Sequence, residues 1–299
     1  MTAHPRRAFV AVVTCFHDDE ALNLPATRAQ VSRQVAAGND ILCAGTNGDF
    51  SALMFDEKLA LTEAVLDQAA GRARVMVNVG TPSTRETVLL ARQAAALGAD
   101  SLSVIAPYFI DCTQDALYRH YMTVADAVDR PVYLYDIPAR TQNHIEPETA
   151  LRLAAHGNIV GIKDSGGSEA SLTGYLGVAK AAPGFELWSG PDHLVLWALE
   201  RGATGPISGL GNVAPAILSA IVAAHDAGDR AAAEAAQARF GALRKDLYAL
   251  GYPPAMVKRA LYVMDNAVGA SRQPALLPDP AQDTRIAAVL EQHGLWPER

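Results

Sequence analysis

Ile159-Val160-Gly161-Ile162-Lys163-Asp164-Ser165-Gly166-Gly167 joins an apolar run to a lysine and a polar, glycine-containing tail. Four apolar residues read as a buried strand, a lysine stands at its end, and polar and glycine residues follow at once. A lone lysine on a buried strand is costly. An ammonium held in an apolar site loses hydration, its pKa falls, and the neutral amine becomes a nucleophile able to form a Schiff base with a ketone. A second reading of the same residues puts Lys163 past the strand end, pointing into water.

Three further segments share this form. Ile41-Leu42-Cys43-Ala44 runs into Gly45-Thr46-Asn47-Gly48-Asp49, Val132-Tyr133-Leu134-Tyr135 into Asp136-Ile137-Pro138-Ala139-Arg140-Thr141, and Leu187-Trp188 into Ser189-Gly190-Pro191-Asp192. Strand-like runs at 9–16, 40–44, 74–80, 101–107, 131–137, 159–164, 185–190 and 204–208 alternate with helical periodicity at 28–37, 56–70, 84–97, 114–128 and 146–155. Alternation of this kind predicts parallel strands, and eight of them predict a (β/α)8 TIM barrel whose strand ends converge on one face. An open doubly wound sheet is the rival, disfavoured because no Gly-x-Gly-x-x-Gly follows the first strand. The chain divides into a catalytic barrel over 1–228 and a helical extension over 229–299. Within the extension, 231–250 and 255–268 read as helices, broken by Gly251-Tyr252-Pro253-Pro254 and followed by the Pro-rich stretch 274–280.

Composition narrows the function. The 299 residues are half hydrophobic, enough for a large core, and the formal net charge of −7 without a basic run excludes a nucleic-acid or anionic-membrane surface. Cys15, Cys43 and Cys112 are too few and too scattered for a disulfide framework or a zinc site, and His17, His144 and His193 lack ligand spacing. Neither a signal peptide nor an apolar stretch of about 18 residues is present, so the expected location is cytoplasmic.

Gly45-Thr46-Asn47-Gly48-Asp49, Tyr135-Asp136-Ile137-Pro138-Ala139-Arg140-Thr141 and Gly161-Ile162-Lys163-Asp164, in this order and at the second, fifth and sixth strand ends, resemble the dihydrodipicolinate synthase/N-acetylneuraminate lyase family of class I pyruvate aldolases. The resemblance runs from Val12-Val13-Thr14-Cys15-Phe16 to Pro253-Pro254-Ala255-Met256-Val257-Lys258. It implies a covalent imine of a 2-oxo acid on Lys163, no separate cofactor and no metal. It makes Tyr135 the phenol that moves protons, and gives Thr46 and Asn47 the substrate carboxylate. It implies a homotetramer built as a dimer of dimers.

Other positions follow from the same resemblance. Arg140 suits a carboxylate on the second substrate, although it could equally tie down its own loop. Asp192 and Ser208 are candidate specificity residues, with helix capping by Asp192 and a glycine-permitted turn at 209–211 as the structural alternatives. The backbone carbonyl of Ile207 faces the site by analogy. Two departures matter: Asn47 replaces the second threonine typical of the synthases, and in Pro107-Tyr108-Phe109 a phenylalanine stands where a relay tyrosine reaches into a neighbouring subunit's site. The reading is therefore a lyase cleaving a 2-keto-3-deoxy sugar acid or hydroxy-oxo-diacid to pyruvate and an aldehyde. The alternatives are a 4-hydroxy-tetrahydrodipicolinate synthase joining pyruvate to aspartate semialdehyde, and a non-catalytic oxo-acid-binding paralogue.

Overall fold

The computed structural model describes residues 6–264, 267–275 and 280–295. Positions 1–5 of the N-terminal reading, 265–266 of the helix read over 255–268 and 276–279 of the Pro-rich stretch lie outside them. Eight strands run in chain order around a closed barrel: β1 (Phe9–Ala11), β2 (Asp40–Cys43), β3 (Val75–Asn78), β4 (Ser101–Ile105), β5 (Val132–Asp136), β6 (Ile159–Asp164), β7 (Glu186–Ser189) and β8 (Gly205–Ser208). The pairs β1–β2 and β3–β4 through β7–β8 are parallel. Strands covered on both faces are buried almost throughout, which is why they read as continuous apolar runs. This is the (β/α)8 TIM barrel that the alternation predicts.

The chain forms two compact units, residues 1–73 with 208–299, and residues 74–207. The first holds β1, α1 (Leu24–Ala36), β2, α2 (Phe55–Ala69), α9 (Pro215–Asp226), α10 (Arg230–Tyr248), α11 (Pro253–Val263) and α12 (Pro280–Gln292). The second holds β3 to β7 and β8 as far as Ile207, with α3 (Thr84–Leu97), α4 (Gln114–Ala125), α5 (Pro138–Thr141), α6 (Pro147–Leu153), α7 (Glu169–Ala181) and α8 (Val195–Glu200). Helix starts carry ordinary caps: the side chains of Asn23, Ser83, Thr113, Ser168 and Asp229 each accept from the backbone N–H three residues on.

The first strand is shorter than the apolar run suggests. Beyond Val12 the backbone leaves the ladder for side-chain partners: Val13 N–H donates to Asn212 Oδ1 at 3.2 Å and Cys15 N–H to Thr27 Oγ1 at 3.0 Å. α7 and α9 give little amphipathic signal because small and apolar residues lie on their exposed as well as their buried sides. Glycines at 174 and 177 dilute α7, and α9 pairs buried Ile217, Leu218, Ile221 and Val222 with alanines.

Asn212 organises the turn after β8. Fully buried, its Nδ2 donates to the carbonyls of Ala11 at 2.7 Å and Gly209 at 2.8 Å. Nearby, Arg33 donates to the Asn212 carbonyl and Gln34 to that of Gly211. Truncating the amide strands a buried N–H and a buried carbonyl, each costing on the order of 1–3 kcal/mol. Asn212→Ala should therefore lower the free energy of unfolding by about 3 kcal/mol in urea titrations; a loss well under about 1 kcal/mol would mean that these groups find other partners.

Candidate active site at the ends of the fifth and sixth strands

β5 and β6 pair with Tyr135 opposite Lys163 and Asp136 opposite Asp164. Successive strand residues face opposite ways, so Tyr135 and Lys163 share one face and the two aspartates the other. The aspartate face looks toward α7: Ser171 Oγ donates to Asp164 Oδ1 at 2.9 Å, and the Tyr175 hydroxyl to Asp136 Oδ2 at 3.0 Å. Lys163 and Tyr135 thus occupy the face turned away from the helices, the inner face of a barrel.

Lys163 lies within its strand at 5% exposure, not beyond its end in water. Its Nζ is 4.0 Å from the centroid of the Tyr135 ring, and no described residue gives it a hydrogen bond or an ion pair. Trp188, registered against Lys163, and Tyr133, one layer down, both donate to Glu186 Oε2, from the indole Nε1 at 2.9 Å and from the hydroxyl at 2.7 Å. Burial and then Glu186 hold the Tyr133 phenol far above its ordinary pKa, so it stays a donor. Gly161 makes room here: a Cβ would lie 2.9 Å from the Tyr133 ring and 2.5 Å from the Glu186 carbonyl oxygen.

Other named positions in this unit are spread over three loops. Arg140 is exposed on the single turn of α5. Asp192 is buried at the start of the 3-10 turn Asp192–Leu194; the capping residues there are Pro191 and Leu194, so Asp192 is not an N-cap. Ile207 is buried near the end of β8. Phe109 is 98% exposed with φ of 72°, while Tyr108 beside it is half-buried, its phenol pushed up by burial. Asn143 braces this loop, donating to the carbonyls of Pro107 and Ile110 and accepting from Cys112 N–H.

In the other unit, Thr46 and Asn47 open a single 3-10 turn, Thr46–Gly48. Positive φ falls on Ala44 (51°) and Asp49 (53°) rather than on the flanking glycines. Gly48 serves close approach instead, since a Cβ would sit 3.0 Å from the Val12 carbonyl oxygen, and the Thr14 hydroxyl donates to the Gly48 carbonyl at 2.6 Å. Gly209 serves the same end, because a Cβ there would collide with the side-chain amide of Asn47. Ser208 Oγ accepts from Gly211 N–H at 2.9 Å, tying it into its own turn.

The sequence reading assigned no role to the layer behind Lys163. Asp136 accepts from His144 Nδ1 at 2.8 Å and from Ile145 N–H at 3.0 Å. Asp164 Oδ1 also accepts from Gly166 N–H at 2.7 Å, whereas its Oδ2 and the Ser189 hydroxyl on the paired residue of β7 are buried without partners. Burial pushes Asp164 up to about 6 against the pull of the Gly166 and Ser171 bonds; the bond to Asp136 raises His144. The signal was available in the alternation, which sends any carboxylate next to Tyr135 or Lys163 to the buried outer face. Among the described residues no cluster of His, Cys, Asp and Glu is placed to hold a metal, and no helix is long and apolar enough to cross a membrane.

A carboxyl whose pKa is higher folded than unfolded binds its proton more tightly in the folded state. It therefore favours folding at low pH and loses that advantage as pH rises through about 6. Asp164→Asn keeps the two acceptor contacts and removes the charge. Its stability relative to the parent should improve by about 2 kcal/mol between roughly pH 4 and pH 8, read by denaturant titration at both ends; a flat difference would show that Asp164 titrates normally.

The sequence profile of the dihydrodipicolinate synthetase family matches residues 4–293. The chain is 38% identical over 287 residues to 4-hydroxy-tetrahydrodipicolinate synthase 1 of Streptomyces coelicolor, covering 95% of this chain and 91% of that protein. It is 35% identical over 289 residues to the 4-hydroxy-tetrahydrodipicolinate synthase of Azoarcus sp., covering 96% and 98%. Among solved structures it resembles the dihydrodipicolinate synthase of Thermotoga maritima (TM-score 0.92, 31% identity, 97% and 99% covered). It also resembles a prophage protein of the dihydrodipicolinic acid synthase family from E. coli K12 in complex with pyruvate (TM-score 0.93, 30% identity, 97% and 99% covered). By these matches over nearly its whole length, the chain belongs to the dihydrodipicolinate synthetase family, whose members are carbon-carbon lyases and synthases that work through a lysine Schiff base without a separate cofactor.

Proposed function

We propose that this enzyme forms its imine on Lys163 and cleaves a 2-keto-3-deoxy sugar acid or a related hydroxy-oxo-diacid to pyruvate and an aldehyde. One observation carries the reading: a buried amine, without a counter-ion among the described residues, lying 4.0 Å from the ring of Tyr135. The amine adds to the C2 carbonyl, and the Tyr135 phenol gives its proton to the departing hydroxyl, which leaves as water to give a protonated imine and a tyrosinate. Tyr135 takes the proton of the C4 hydroxyl as the C3–C4 bond breaks, and that electron pair moves into the imine to form an enamine while the aldehyde departs. Protonation at C3 and hydrolysis return pyruvate and the free amine. Thr46 and Asn47 hold the substrate carboxylate in this scheme, and Arg140, Asp192, Ser208 and the Ile207 carbonyl serve the distal part of the substrate. These roles rest on the family resemblance.

Phe109 supports the lyase direction, since its side chain has no proton to pass where the synthases' relay expects one. The names of the related synthases and the exposed Arg140 support a second reading, condensation of pyruvate with aspartate semialdehyde. Free thiols at Cys15, Cys43 and Cys112 fit a reducing cytoplasm. A homotetramer, and the division into a barrel over 1–228 and a helical extension over 229–299, complete the proposal.

Pyruvate with borohydride should add one reduced adduct, located on Lys163 by peptide mass spectrometry and lost in Lys163→Ala. Tyr135→Phe should still trap pyruvate yet lose about 100-fold in turnover. Pyruvate release from a panel of 2-keto-3-deoxy acids, run beside a coupled aspartate semialdehyde assay, separates the two substrate readings. Absence of any adduct would leave the oxo-acid chemistry without support.

A further inference from the structure

Lys258 is a buried cation far from the lysine strand in sequence. It sits on α11 at 2% exposure and donates from Nζ to Asp49 Oδ2 at 2.8 Å, across 209 residues of chain. Asp49 is the residue that closes the Thr46–Gly48 turn, in the left-handed conformation that a non-glycine residue adopts only when its surroundings hold it there. Nζ also lies 4.2 Å from the centroid of the Phe16 ring, and the Arg272 guanidinium is 4.4 Å from the same centroid. Arg272 is itself locked by two bonds to Glu57 and by the carbonyls of Glu20 and Ala52.

A buried ion pair is a poor source of stability, because desolvating two charges offsets most of their attraction and an apolar side chain of similar volume often does as well. What a short charge-assisted bond supplies is direction. The other restraints on the turn act elsewhere: Thr14 holds the Gly48 carbonyl, and the Asn47 amide packs on Gly209. Asp49, at the exit, is bonded to the C-terminal helix α11.

We propose that Lys258 is a positioning residue for the substrate carboxylate. Through Asp49 it fixes the exit of the Thr46–Gly48 turn, and so the aim of the donors of Thr46 and Asn47. The proposal deepens the reading that this turn holds the carboxylate and rests on it. The cation itself touches no substrate.

The test measures borohydride trapping on Lys163 against concentration, for pyruvate and for methyl pyruvate, whose ester carries no carboxylate charge. Lys258→Met and Asp49→Asn are compared with the parent, and the double variant completes the cycle. The expected result is a rise of about tenfold or more in the pyruvate concentration giving half-maximal trapping, equivalent to roughly 1.4 kcal/mol. The adduct level at saturation and the methyl pyruvate curve should stay unchanged, and the double variant should be no worse than either single one. Unmoved pyruvate curves, or pyruvate and methyl pyruvate curves that shift together, overturn the positioning role while leaving the imine chemistry intact. Should Lys258→Met fail to fold, Asp49→Asn, which keeps an acceptor, gives the same reading. No adduct on the parent protein withdraws the functional reading and this proposal together.

Discussion

The two-residue period of β5 and β6 is the constraint on which the site depends. With Tyr135 registered against Lys163, one face of the strand pair carries an amine and a phenol, and the other carries two carboxylates one residue further on. A shift of one residue in that register would exchange the faces, sending the amine toward α7 and the carboxylates inward. The outer face guards against it. Asp136 is engaged by His144, Ile145 and Tyr175, and Asp164 by Gly166 and Ser171, so slippage would break five hydrogen bonds in a buried layer. The acidic residues keep the amine where it is without touching it.

Keeping carboxylates on the outer face has an electrostatic side as well. An aspartate on the inner face beside Lys163 would bind the ammonium and suppress its nucleophilicity. One residue along, behind the strand, the same group is available as a hydrogen-bond anchor for the loop at 164–167. Burial of a second carboxylate near Asp136 costs free energy, visible in the raised pKa of Asp164 and in two buried oxygens left without partners. Strain concentrated beside a reactive centre is common where geometry matters more than stability.

Much of this was legible in the sequence. The strand and helix alternation, with lysine and tyrosine at two successive strand ends, gave the barrel and the Lys163–Tyr135 neighbourhood, because strand period and parallel order are local consequences of apolar patterning. What the pattern could not carry were relations between distant residues. Nothing near Gly209 says that its missing side chain makes space for Asn47, and nothing near Lys258 names Asp49 as its partner. The 45–49 turn shows the same limit: Ala44 and Asp49, not the glycines, take the left-handed backbone, and Gly48 answers a steric demand set by Val12 and Thr14. The strand ends were overextended where side chains such as Asn212 and Thr27 intercept the backbone.

The bond between Asp49 and Lys258 also orders events during synthesis. The ribosome delivers Asp49 early and its cation 209 residues later, an interval of roughly 10–40 s at ordinary elongation rates. Through that interval the nascent turn must sit with an unanswered carboxylate, although both of the strands beside it have already emerged. Closure of this bond thus waits on the translation of α11.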